Sequence, residues 1–306
     1  MSDFAHQAEV EKFALLLNLA PAQLPYLYKL KLQTLRQLRE QTTAALFDAD
    51  AELFGRIAAS TRLLPTLIAA VIAEKALGPL LCARVAGLLP PQRAADIAKR
   101  LSSDFLADVC VNINPQQIRE LIALMPIARI IDVAQTMIRR KDYIIMARFV
   151  DCLDQATMRK VIDALDDDEA LLRIGFYVEE PQQLDPVIML FPDLRLRNML
   201  VSAIEQGAEL WSEALALIHA IGAQPRQRMI TLTAALEDSS LLCCIALTDQ
   251  QQLWSQIRPL LKAWSDDQVE RLCAAVQADQ PALAPRLLQA LEDALHPSPP
   301  EARIDK

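Results

Sequence analysis

Glycine is scarce in this chain, six residues in 306. Few positions can therefore take up positive φ cheaply, which excludes glycine-rich phosphate loops and serial tight β-hairpins. Histidine occurs only as His6, His219 and His296. Nucleophilic catalysis commonly needs a histidine beside Ser or Cys with a carboxylate to orient it. His6 and His296 lie near the two ends, where a rigid site is hard to build. His219 sits in the apolar pattern "LWSEALALIHAIG" and reads as a structural histidine, although such a helix could bring it to Cys243 or Cys244. A cationic excess is lacking too: the net charge is −8 and the pI near 5.1, without the positive footprint that nucleic-acid binding requires. Nor is there a long apolar run. The densest, "LLPTLIAAVIA" at 63–73, lies between Arg62 and Glu74 and is shorter than the roughly 20 residues that cross a bilayer. The wider segment 63–89 reads as core, with a docking face for membrane or protein as the alternative.

What remains is aliphatic. Hydrophobic residues make up 53% of the chain and aromatics 5%, with mean hydropathy +0.18; the apolar share is mostly Leu, Ala and Ile, which suits many packed helices. Eighteen prolines punctuate it. The six cysteines, Cys82, Cys110, Cys152, Cys243, Cys244 and Cys273, fall inside apolar patterns without metal-binding spacing, and read as buried thiols in a reducing compartment. The start "MSDFAHQAEVEKF" lacks the pattern of a signal peptide, so a cytoplasmic location is expected. Carboxylates are many, but no pair stands out as an acid–base site. No cofactor, metal ion or catalytic residue is expected.

The first 50 residues read as a small helical cap, with one helix opened by Thr34 and closed into a capping box by Gln37. Lys29, Lys31, Arg36 and Arg39 form a basic cluster with no glycine to admit a phosphate, so a solvated face is expected rather than a DNA grip. Residues 51–294 alternate apolar helical segments of about 10–14 residues with short breaks rich in Pro, Asp, Asn and Ser. The breaks include "LLPP", "NINP", "LMP", "CLD", "LDDDEA" and "FPD". The acidic run Asp166 to Glu169 reads as a helix N-terminus. Residues 295–306 form a Pro-rich tail, expected to be disordered.

In "LLPPQRAADIAKRL", residues 88–101, Pro90 stops one helix and Pro91 starts the next, since proline disfavours helix in the residue before it and is tolerated at a first helical position. Stop and restart of this kind turns a helical array back on itself. Arg119, Arg159, Arg197 and Arg228 recur after such breaks at spacings in the range of helical-pair repeats. Arg93, Arg129 and Arg148 are each followed three residues later by Asp. These are either exposed intrahelical pairs or arginines lining a concave surface. Residues 88–125, "LLPPQRAADIAKRLSSDFLADVCVNINPQQIRELIALM", resemble the cytosolic N-terminal domain of MgtE-type magnesium channels, and flagellar switch proteins of the FliG type carry comparable arrays. The resemblance implies a superhelix of short helices. The chain shows no membrane segments or nucleotide-binding module of the channel kind, so no magnesium ligands are carried over.

The expected fold is thus all-α: a right-handed α-solenoid behind an N-terminal cap. The expected role is a non-enzymatic scaffold or adaptor holding a protein partner on its concave face. The segment "IRRKDYIIMARFVDCL", read as one helix with a basic mouth, and "LLRIGFYVEE" supply the candidate contacts: Arg129, Arg139, Arg140, Tyr143, Met146, Arg148, Phe149, Arg173, Phe176 and Tyr177. Aromatic residues beside arginine are common interface anchors. The alternative is a carrier or sensor enclosing a hydrophobic, lipid-like small molecule in an apolar cavity. No nucleic-acid partner and no transmembrane segment are expected; contact with a membrane surface remains open.

Overall fold

A computed structural model describes residues 2–48, 51–61 and 63–295; the tail from His296 onward lies outside them. The protein is 80% helical, and no strand occurs among the described residues. It divides into two compact units. The first comprises Ser2–Ala170 with Tyr177–Gln183, the second Leu171–Phe176 with the chain from Leu184 onward.

The first unit begins with α1 (Ser2–Leu17), 3₁₀ turns at Pro21–Gln23 and Pro25–Lys29, and α2 (Leu32–Asp48). Val10, Phe13, Ala14, Leu24, Leu27 and Leu35 form a small core of their own there. Helix α2 starts at Leu32, so Thr34 lies inside its first turn instead of capping it. There follow α3 (Ala51–Thr61), α4 (Thr66–Ile72), α5 (Gly78–Ala86), α6 (Pro91–Ala98), α7 (Ser103–Asn112), α8 (Arg119–Ala123), α9 (Ile127–Arg140), α10 (Tyr143–Ala147) and α11 (Gln155–Ala164). A π-turn at Ala73–Leu77 joins α4 to α5, and the backbone leaves the helical region at Gly78, where φ 76 and ψ 170 suit only glycine. Pro90 is extended and Pro91 opens α6, so the helix stops and restarts at the double proline. Packing alternates along the chain: α4 rests on α6 and α6 on α8, while α5, α7, α9 and α11 pack in succession. Between them lies a core that includes Ile97, Leu101, Phe105, Val109, Ile113, Ile118 and Ile122.

Helix α12 (Asp168–Phe176) leads into the second unit; Asp167 caps it, accepting from the Ala170 N–H at 2.8 Å. Then come α13 (Asp185–Ile188), α14 (Asp193–Glu205), α15 (Ala208–Ala220), α16 (Ala223–Ala234), α17 (Asp238–Gln250), α18 (Trp254–Leu261), α19 (Asp266–Asp279) and α20 (Ala284–Leu295). Again α14 packs on α16, α15 on α17, α17 on α19 and α18 on α20. Trp211 is fully buried at the centre, with its indole N–H donating to Thr248 Oγ1 at 3.2 Å.

With glycine so scarce, three helix ends take the left-handed conformation on other residues: Asn18, Lys141 and Gln252, at φ 55, 61 and 56. Each is followed by an N–H that reaches back five residues, Leu19 to Ala14, Asp142 to Met137 and Leu253 to Thr248, which closes a Schellman-type end. The second of these divides residues 138–153, which are not one helix. Helix α9 ends at Arg140, and α10 is a separate short helix followed by a 3₁₀ turn.

Candidate functional site

Four arginines make one and the same contact. Each reaches to the helix two places earlier, donating to the carbonyl of an apolar residue and to the side chain two positions further on, the first residue of that helix. Arg93 on α6 takes the Leu64 carbonyl and Thr66 Oγ1. Arg129 on α9 takes the Leu101 carbonyl and Ser103 Oγ. Arg228 on α16 takes the Phe191 carbonyl at 2.7 Å and Asp193 Oδ1 at 2.7 Å, and Arg271 on α19 takes the Leu236 carbonyl at 2.8 Å and Asp238 Oδ1 at 2.6 Å. The acceptor triplets read Leu-Pro-Thr, Leu-Ser-Ser, Phe-Pro-Asp and Leu-Glu-Asp. A carbonyl at such a turn has no helical partner and must find a donor. The planar guanidinium fork meets the carbonyl and the side chain together. We call this contact an arginine latch.

One residue of the predicted set, Arg129, makes the latch, with Asp132 a looser further partner at 3.6 Å. Arg148 donates to the Ile113 carbonyl at 2.7 Å, while Asp151 pairs with Arg119 at 3.0 Å. Arg93 likewise leaves Asp96 to Lys99. Arg140 bridges from the end of α9 to Asp104 and Asp108 of α7, at 2.9 and 2.7 Å. Arg139 is exposed and donates to Thr136 Oγ1. Arg139 and Arg140 stand at a helix C-terminus, where cations are favoured, and not at a helix mouth. Met146 and Phe149 pack against the core formed by Ala107, Met137 and Ile145, and Tyr143, which opens α10, is half-buried. Arg173 and Phe176 belong to the second unit; there Arg173 meets the buried Glu213 at 3.2 Å.

Tyr177 and a buried polar cluster nearby in the chain, at Glu179, make contacts with α1 and α2 that sequence reasoning missed. The Tyr177 hydroxyl donates to Glu11 Oε2 at 2.5 Å. On the same helix Glu9, only 1% exposed, receives Lys12 at 2.9 Å and Arg39 at 3.1 Å, and Arg39 also pairs with Glu179 at 2.7 Å. Arg36 donates to the Glu179 carbonyl at 3.2 Å. Arg36 and Arg39 therefore turn inward, and only Lys29 and Lys31 of that basic cluster are exposed. Burial alone would raise the Glu9 pKa, but Lys12 and Arg39 outweigh it and hold the carboxyl below its ordinary value. Burial pushes Lys12 down, with Glu9 opposing. The cluster ties Tyr177–Gln183 to α1 and α2.

Little here is poised for covalent chemistry. Burial pushes the Cys82 and Cys152 thiols up to about 11 and Cys110 to about 12, and raises Cys244 further, so none of these four carries appreciable thiolate at neutral pH. His219 is half-buried and depressed by burial, and its Nε2 meets the Gln256 carbonyl. No group of three His, Cys, Asp or Glu among the described residues is placed to hold a metal ion.

Two exposed surfaces stand out among the described residues. On the turn Pro25–Lys29, Leu24 and Leu27 anchor the backbone in the core while Tyr26 and Tyr28 stand 59% and 48% exposed. The second is α4. The segment 63–89 is not simply core: around α4 the alanines are buried and Leu64 packs inward, while Leu63, Leu67, Ile68, Val71 and Ile72 face out. No protein-family model, curated protein or solved structure matches the chain.

Proposed function

We propose that the chain is a non-enzymatic cytoplasmic scaffold, a right-handed α-solenoid that holds a protein partner. Support for the repeat architecture comes from the latch, which recurs four times in the same form, from the alternate packing of helices, and from the likeness of residues 88–125 to MgtE-type N-terminal domains. Latches of this kind stiffen an array, as a scaffold requires.

The observation that carries the binding role is the tyrosine turn. Two of the four tyrosines in the chain stand in solvent on a backbone pinned by two prolines and two buried leucines. Tyrosine offers large contact area at small entropic cost and is enriched at interfaces. Lys29 and Lys31, exposed alongside, fit an acidic partner segment. A photo-crosslinking phenylalanine analogue at Tyr26, expressed at native level in the host, should give one discrete protein adduct. That adduct should vanish with Lys29→Glu and Lys31→Glu. The same probe at exposed Arg159 of α11 should give none. Equal labelling at both positions, or no adduct at Tyr26, removes this reading.

A further inference from the structure

Helix α4 sorts its side chains against the usual sense. Ala69, Ala70 and Ala73 are 4–7% exposed, whereas Leu67, Ile68, Val71 and Ile72 are 61, 48, 54 and 36% exposed, and Leu63 just ahead of the helix is 87% exposed. The four lie at i, i+1, i+4 and i+5, a single stripe along a helix. Small residues inside let the backbone approach the core closely, and the large aliphatic ones are left in water. Five such side chains in succession match the largest apolar patch an ordinary monomer shows, about 300–600 Å², a size that often marks a binding surface.

Charge and composition name the occupant. Among residues 54–89 the charged side chains are Arg56, Arg62, Glu74, Lys75 and Arg84, four cations to one anion in a chain of net charge −8. Glu74 is engaged by Ser102 at 2.5 Å, while Arg56 and Lys75 are exposed. The stripe holds no aromatic residue, methionine or arginine, the types that mark protein interfaces. The stretch Thr66–Ala86 is apolar and long enough to match a bilayer's thickness by length and composition, yet little of it is buried. The buried alanines and the non-helical backbone at Gly78 tie it to the fold, so it can lie on a bilayer without crossing it. We propose that α4 docks on an anionic lipid surface, with Leu63, Leu67, Ile68, Val71 and Ile72 entering the acyl boundary and Arg56 and Lys75 meeting headgroup phosphates. Apolar burial and electrostatic attraction act together in such binding. The site is separate from the tyrosine turn and does not depend on it.

The test is co-sedimentation of the full chain with vesicles of phosphatidylcholine and phosphatidylglycerol in equal parts, against phosphatidylcholine alone. The wild type should pellet with the anionic vesicles and bind the neutral ones at least tenfold more weakly. Leu67→Asp with Val71→Asp should weaken anionic binding tenfold or more with unchanged circular dichroism, and Lys75→Glu about threefold. Ile68→Trp, a large-for-large change at an exposed position, reports independently: brominated acyl chains should quench its emission. The proposal is overturned if the wild type stays in solution with both vesicles, if the double variant pellets equally, or if the new tryptophan is unquenched. It is overturned too if light scattering finds a dimer that the double variant splits and that ignores vesicles, since the stripe would then belong to a second copy.

Discussion

Replacing Arg228 by methionine keeps the aliphatic stem and removes the guanidinium, so it isolates what one latch contributes. Three acceptors lose a donor: Ile188 O at 3.0 Å, Phe191 O at 2.7 Å and Asp193 Oδ1 at 2.7 Å. Hydrogen bonds to a charged donor are worth about 1.5–3 kcal/mol each. The Asp193 side chain is 68% exposed and resolvates readily, so its bond adds little. The two carbonyls are the main loss, and the Arg228 side chain, 22% exposed, admits water only in part. A cost of roughly 3 kcal/mol follows, which at about 4 °C per kcal/mol lowers the melting temperature of the second unit by about 12 °C. Scanning calorimetry reads the shift, and hydrogen exchange should show faster opening around residues 186–195. Arg228→Lys should recover less than half, because one ammonium cannot serve the spread acceptors. Arg159→Met, at an exposed arginine, should stay within about 0.5 kcal/mol. If Arg228→Met and Arg159→Met melt together, the latch is not a stabilising device and the reasoning fails.

Glu9→Gln leaves Lys12 and Arg39 buried with less compensation and should destabilise the first unit by about 3–5 kcal/mol in urea titrations at neutral pH. Because the Glu9 pKa lies below its ordinary 4.5 when folded, its contribution is complete above that value and fades as pH falls through the folded pKa; the variant should lose this acid limb, and an unchanged limb would count against the cluster. Lys12 has the opposite end of the scale: its folded pKa lies below the ordinary 10.5, so stability should rise with pH through that alkaline interval. Alkylation followed by mass spectrometry should modify exposed Cys243 first, and buried Cys244 only under unfolding conditions; parallel modification of the two would contradict the packing of α17. Gln252→Gly relieves a left-handed residue at φ 56 and should stabilise the second unit by about 1 kcal/mol, seen as a raised urea midpoint.

The all-helical character was legible in the sequence because proline breaks and aliphatic runs at helical length leave little else to build. Pro91 marks a helix start by its own stereochemistry, and Asp167 caps α12 as an acidic run should. Lys141 gave no such sign: a left-handed helix end is recognised by glycine, and here a lysine takes that place, which hid the break between α9 and α10. The arginines carry a subtler lesson. Spacing places Arg93 near Asp96 and Arg148 near Asp151, but it cannot register an unpaired carbonyl two or three helices back that competes for the same fork. Hydropathy likewise identified residues 63–73 as apolar without saying that the alanines would take the inside. Tyr26 and Tyr28 lay in a proline-broken stretch whose periodicity points to neither face.

In every latch the acceptor turn precedes its arginine in the chain, by 26–40 residues. During synthesis at about 5–20 residues per second, each turn therefore waits only seconds for the donor that closes it. Assembly can run from the ribosome outward, one helix pair behind another. The Tyr177–Glu11 contact is different, spanning 166 residues. Until that stretch of chain emerges, Glu11 lacks its phenol donor and Arg39 lacks Glu179, and their pairing marks the moment when Tyr177–Gln183 docks on α1 and α2.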